Sequence, residues 1–299
     1  MINSNDYNNA HFPDYSSIKA PQTWDLLWQN TQEQCFCRQK SLDETIEFWN
    51  KRADGFKKSV MESEHGEIRV NETLQWLEKE GVVLKNASVL DIGAGPGPFT
   101  FPIAEQAREV VALEPAEAMV DYLQSAMEQR NFNNINILCQ PWETVDIEKN
   151  NLKERFDLVF ASMTPGIRNA ESLHKAIECA NKYFYIGAFA GKRHNPALYD
   201  LWMHLTGEEM PPWPDHIFFI YNILHHQGYD ISLQIFEEER VEKQPLEKAV
   251  NYLQLSIQSY LEDTSNLEEK ITNFLEKRSS EGILEQTITT RLGRLLIKK

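Results

Sequence analysis

The sequence predicts an α/β protein with a mostly parallel sheet of about seven strands, a helical N-terminal extension and a Pro/Trp-rich insertion. Three observations carry the prediction. Short, near-continuous apolar segments alternate with helical patterns from residue 88 onward, as strands buried on both faces do. A glycine-rich turn, Gly93-Ala94-Gly95-Pro96-Gly97, follows the first of these segments. From Pro21 to residue 80 the apolar spacings are helical.

Residues 1–20 are rich in Asn, Ser, Asp and Tyr and read as an irregular arm. From Pro21 the spacing of Trp24, Leu27, Trp28, Ile46, Phe48, Trp49 and Phe56 predicts two or three helices before residue 62. A further helix is predicted over Glu67–Glu80, stopped by Gly81. Strands are predicted at Ser88–Ile92, Glu109–Glu114, Ile135–Cys139, Phe156–Ala161 and Lys182–Phe189. Helices are predicted between them at Phe99–Arg108, Ala116–Arg130 and Glu171–Asn181. Asn195–Asp215, with four prolines and two tryptophans, reads as an insertion over the ligand edge of the sheet. A helix over Ile217–Gln227, a strand over Ile231–Glu238 and a helix from Pro245 to Leu261 follow. Ser265 and Glu268 fit a capping box for a last helix, and Ile288–Ile297 a last strand. The division expected is an arm and helical lid over 1–62, then one ligand-binding domain over 63–299.

The chain carries 45 acidic against 30 basic residues, a formal charge of -15, which argues against a nucleic-acid partner. Lys192-Arg193-His194 is a short basic patch and reads as solvated surface. The N-terminus lacks the basic and apolar regions of a signal peptide, and no run approaches the ~18–20 apolar residues of a membrane span. A cytoplasmic protein with reduced Cys35, Cys37, Cys139 and Cys179 is expected, with no metal site.

The turn holds the chemistry. Glycines at alternate positions let a ligand approach backbone that side chains would shield. A dinucleotide fold asks for GxGxxG, and Pro98 stands where the third glycine would be. Asp91, two residues before Gly93, suits a cationic ligand and would repel a pyrophosphate. Glu114, at the end of the second strand, stands where a carboxylate accepts bonds from both ribose hydroxyls, whichever adenosine ligand is bound.

Asp91-Ile92-Gly93-Ala94-Gly95-Pro96-Gly97 resembles the first motif of the class I S-adenosylmethionine-dependent methyltransferases, which share a Rossmann-like sheet, in their small-molecule branch. Leu113-Glu114-Pro115-Ala116-Glu117-Ala118-Met119 resembles the second motif, and Phe156–Met163 the fourth-strand motif. Phe48–Phe56 resembles the helix that covers the cofactor. The resemblance implies S-adenosylmethionine as cofactor, with contacts from Asp91, Gly93, Ala94, Gly95, Gly97, Glu114, Pro115, Met119, Ser162, Met163, Trp49 and Phe56. It departs from the family at Pro141, which stands where an acid usually meets adenine. Trp142 and Glu143 are the candidates to replace it. A small-molecule acceptor is expected, with Arg168, Trp213 and His216 as its contacts and His216 as candidate general base. Two rivals remain at this stage: a non-catalytic module that binds S-adenosylmethionine, and an NAD-dependent oxidoreductase.

Overall fold

The computed structural model describes residues 20–36 and 41–299. Most of the predicted arm, and Cys37, lie outside the described residues. Three helices come first: α1 (Pro21–Gln34), α2 (Leu42–Met61) and α3 (Glu64–Lys79). Ser41 caps α2 through a capping box with Glu44, and Ser63 caps α3 by accepting from the Gly66 N–H, so α3 begins three residues earlier than its apolar spacing implies.

The sheet then forms from β1 (Ser88–Ile92), β2 (Glu109–Leu113), β3 (Ile135–Leu138), β4 (Phe156–Ser162), β5 (Ala180–His194), β6 (Asp230–Pro245) and β7 (Ile283–Lys298). Their order is β3-β2-β1-β4-β5-β7-β6. β7 pairs antiparallel with both neighbours, and the pairings among β1 to β5 are all parallel. The order reverses between β1 and β4, and in such sheets ligands bind outside the carboxyl ends of the strands at that point.

The intervening helices are α4 (Thr100–Ala104), α5 (Glu117–Gln129), α6 (Ala170–Cys179), α7 (Pro196–Thr206), α8 (His216–His226), α9 (Leu246–Ile257) and α10 (Leu267–Glu276). One face of the sheet packs Leu90, Val159 and Ile186 against α6, α8 and Trp28 of α1. The other packs Val89, Phe160 and Tyr185 against α3, α4 and α5. A separate core joins α7, α9 and α10 with Phe36, Trp213 and Leu284. A fourth small cluster sets Trp49, Ala53 and Phe56 of α2 on Ala116 and Met119 at the start of α5.

Several expectations change. The helix after the glycine-rich turn spans only Thr100–Ala104, because Asn134 Nδ2 donates to the carbonyls of Ala104 and Ala107 at 2.8 and 2.9 Å and closes its end. The insertion is helical in its first half: Asn195 caps α7, Pro196 opens it and Gly207, at φ 72°, ends it. The Ser265–Glu268 capping box does not form. The Ser265 N–H donates to Asp263 Oδ1 at 2.8 Å, and Asn266 is left-handed at the cap. β5, β6 and β7 run well past their apolar stretches, paired from Asp230↔Lys298 to Pro245↔Ile283. No helix among the described residues is long and apolar enough to cross a membrane.

Candidate cofactor site

The turn after β1 is held from below. The Gly93 and Ala94 N–H groups both donate to the Leu113 carbonyl, at 2.8 and 3.1 Å, which fastens the turn to β2. Gly93, Gly95 and Gly97 have φ of 76°, 55° and 95°, a region only glycine enters freely. Each is glycine for a different spatial reason. A Cβ on Gly93 would occupy the place of the Thr164 side chain. A Cβ on Gly97 would lie 2.6 Å from both Leu123 Cδ1 and Phe101 Cε2. A Cβ on Gly95 would meet only Phe56 Cε1, at 3.6 Å, so this glycine faces the space between the turn and α2. Asn50 Oδ1 accepts from the Ala118 N–H at 3.1 Å and ties α2 to α5 there.

Two carboxylates lie beneath the turn. Glu114, 7% exposed, accepts from the Gly95 N–H at 2.9 Å and the Ala116 N–H at 2.8 Å. Burial raises its carboxyl above the usual range, and the two N–H groups pull it back. Asp91, 3% exposed, accepts from the Thr100 hydroxyl at 2.6 Å. Burial pushes its carboxyl up to about 7, the Thr100 bond opposes this and the Glu114 charge adds to it.

A carboxyl that titrates higher folded than unfolded favours the fold fully below its unfolded value. That contribution is lost as pH rises through the folded value. Asp91→Asn is therefore expected to stabilise the ligand-free protein increasingly from pH ~4 to ~8, by up to ~4 kcal/mol, and to level off above. Urea unfolding at both pH values checks this. An advantage that stays constant with pH would contradict it.

The loop after β4 completes the edge. Met163 is left-handed at φ 55°, and its N–H donates to the Gly187 carbonyl at 2.8 Å. Thr164 Oγ1 accepts from the Gly166 N–H at 3.2 Å while its side chain fills the space above Gly93. Half-buried Ser162 lies beside Gly187, and half-buried Pro115 follows Glu114 into α5. Asp91, Gly93, Ala94, Gly95, Gly97, Glu114, Pro115, Met119, Ser162, Met163, Trp49 and Phe56 thus form one group around the turn after β1, the start of α5 and the corner after β4. Thr100, Thr164 and Asn50 belong to it as well. Nothing about their spacing in the sequence announces them, because each acts through the backbone or side chain of a residue distant in the chain.

The other candidates are placed differently. Trp142 is 1% exposed, and its indole N–H donates to the Ser172 carbonyl at 3.0 Å, so its ring is a core group and presents no open face to adenine. Glu143 and Arg168 form an ion pair with each other. The Arg168 carbonyl accepts from Gln32 Nε2 at 2.7 Å, which locks α1 to this loop. Trp213 lies in the α7–α9–α10 core, its ring 5.8 Å from that of Phe189.

His216 is not placed to act as a base. Trp28 Nε1 donates to its Nδ1 at 2.8 Å, which assigns the proton to Nε2 and leaves no free lone pair. Burial pushes its pKa down to about 4. A depressed histidine stabilises the fold above its ordinary value, and that contribution is lost as pH falls towards the folded value. His216→Gln keeps an acceptor for Trp28. It is expected to retain ~2–3 kcal/mol that the wild type loses between pH 7 and 4.5. Parallel acid unfolding curves for the two proteins would contradict this.

Residues 89–183 match the family model of a methyltransferase domain. Among curated proteins, the chain is 34% identical over 90 residues to the 23S rRNA (uracil(1939)-C(5))-methyltransferase RlmD of Psychromonas ingrahamii, covering 27% of this chain and 19% of that protein. It is 30% identical over 101 residues to a probable ribosomal RNA small subunit methyltransferase A of Methanosphaera stadtmanae, covering 31% of this chain and 37% of that one. The chain thus spans well under half the length of these relatives. Among solved structures it resembles magnesium protoporphyrin IX methyltransferase of Synechocystis PCC 6803 with bound SAH, at TM-score 0.50 and 13% identity over 86% of this chain and 99% of that one. At such identity the likeness bears on the fold.

Proposed function

We propose that the chain is a class I S-adenosylmethionine-dependent methyltransferase and that the whole protein is a cytoplasmic enzyme that methylates a small-molecule acceptor. The observation that carries the cofactor reading is the pair of buried carboxylates, Asp91 and Glu114, under a turn whose Gly95 faces the gap towards Phe56 of α2. Two acids there favour a ligand with positive charge and oppose a pyrophosphate. The Gly95 N–H, which a dinucleotide site would turn towards phosphate, donates instead to Glu114. The NAD-dependent reading loses its footing on both counts.

S-adenosylmethionine, when bound, supplies an electrophilic methyl group on a sulfonium. The protein's part is to hold, orient and exclude water. Glu114 keeps lone pairs beyond its two backbone bonds with which to accept from ribose hydroxyls. Asp91 would lend negative potential to the cationic ligand from beneath the turn. Phe56, Trp49 and Met119 form an apolar wall between α2 and α5. The Ser162-Met163-Thr164 corner would present backbone beside the acceptor. Positioning of this kind accounts for large accelerations without an obligatory side-chain base. The curated relatives are named for ribosomal RNA. A formal charge of -15 speaks against an RNA acceptor for this chain.

Calorimetric titration with S-adenosylmethionine and, separately, NAD tests the cofactor. Transfer of labelled methyl to a metabolite extract tests turnover. Binding without transfer to any fraction would favour the non-catalytic module, and binding of NAD alone would overturn the reading.

A further inference from the structure

Beyond the cofactor edge, β5, β7 and β6 continue as a three-stranded ribbon. Its register sets Phe189 beside Leu292 and Phe236, and Arg193 beside Thr290 and Glu238. Paired residues project to the same side of a ladder, and Gly187, next to Ser162, shares that side with Phe189. One surface therefore runs from the methyl-transfer corner to Arg193. Trp213 lies over it, 5.8 Å from the Phe189 ring and 4.7 Å from the Arg193 guanidinium. On the lid side, Arg52 of α2 lies 5.2 Å from the Tyr252 ring of α9.

Arg193 differs from its neighbours. Arg69, Arg240 and Arg294 each pair with a carboxylate: Glu238, Glu242 and Glu72. Arg193 has no ion pair among the described residues; its Nε is buried without a hydrogen-bond partner, as are those of Arg240 and Arg294. The basic patch read from the sequence as solvated surface is here a half-buried arginine laid on an indole. An enclosed guanidinium without an acid carries a desolvation cost that a bound anion would offset. In a chain with 45 acidic residues, the lack of an ion-pair partner among the described residues marks the position.

We propose that the methyl acceptor is an elongated molecule bearing one carboxylate, which Arg193 holds against Trp213 at the far end of the acceptor cleft. This rests on the methyltransferase reading. A guanidinium meets a carboxylate through two parallel bonds, a planar match that fits this ligand class. Arg193 is the sixth residue after Gly187, at most ~20 Å of strand, so the carboxylate is remote from the methylated atom.

The test is ligand-observed NMR on the SAH-loaded protein with matched probes: cinnamate, hexanoate and octanoate, their primary amides, and inorganic phosphate. The acids are expected to bind, and the amides and phosphate not. Arg193→Gln should weaken the acids on the order of tenfold or more, and Arg193→Lys less, with SAH affinity unchanged in both. A structural arginine would not distinguish acid from amide. Equal binding of acids and amides, no binding of any acid, or full binding to the Gln variant would overturn the assignment while leaving the methyltransferase reading intact. Failure of SAH to bind the wild type would instead remove that reading, and the acceptor assignment with it.

Discussion

Gly95→Arg is expected to lower S-adenosylmethionine affinity by more than ~100-fold while shifting the thermal midpoint by only a few degrees. The backbone there is left-handed at φ 55°, which costs a non-glycine residue about 1 kcal/mol. The first side-chain atom would meet only Phe56, at 3.6 Å, so the fold has room for it. The rest of the arginine would fill the space between the turn and α2 and set a positive charge where a cationic ligand belongs. Gly97→Ala should do the reverse. Its Cβ would lie 2.6 Å from Leu123 and Phe101, and the protein should lose ~2–4 kcal/mol of stability. Calorimetric binding and scanning calorimetry on both variants check the pair. Wild-type affinity in Gly95→Arg would place the cofactor elsewhere.

Trp142→Ala is expected to cost ~3–5 kcal/mol, the range for removing a large buried aromatic side chain. The indole is 1% exposed, donates to the Ser172 carbonyl at 3.0 Å and sits under the Lys175 ammonium at 4.6 Å. Trp142→Phe separates core from ligand. It should lower stability, since the Ser172 carbonyl loses its donor, yet leave S-adenosylmethionine affinity within roughly threefold. Urea unfolding and calorimetric titration give the two numbers. A tenfold loss of affinity at near-native stability would restore the adenine role.

The parts legible in the sequence are those where one local pattern decides the outcome. β1, β2 and β4 are buried on both faces, so their apolar runs coincide with their pairing. The glycine-rich turn declared its position because strained backbone leaves a compositional mark. The ribbon was hidden. β6 continues through Glu237-Glu238-Glu239-Arg240, held by its ladder with β7 and not by apolar alternation. The site beyond the turn was hidden for a related reason. Trp142 looked like a ligand platform because a tryptophan beside a strand end is equally a core residue, and only its bond to Ser172 separates the two. His216 looked like a base until Trp28, 188 positions away, proved to donate to its ring.

The fit of Thr164 into the space above Gly93 has a consequence for redesign. The turn that would hold the cofactor and the corner that would present the acceptor interlock through that one side chain, and neither can be reshaped alone. Enlarging residue 164 would displace the turn, and any side chain at position 93 would displace the corner. Libraries meant to broaden the acceptor range should leave both untouched and vary Phe189 and Arg193 of the ribbon, Trp213 of the segment before α8 and Tyr252 of α9.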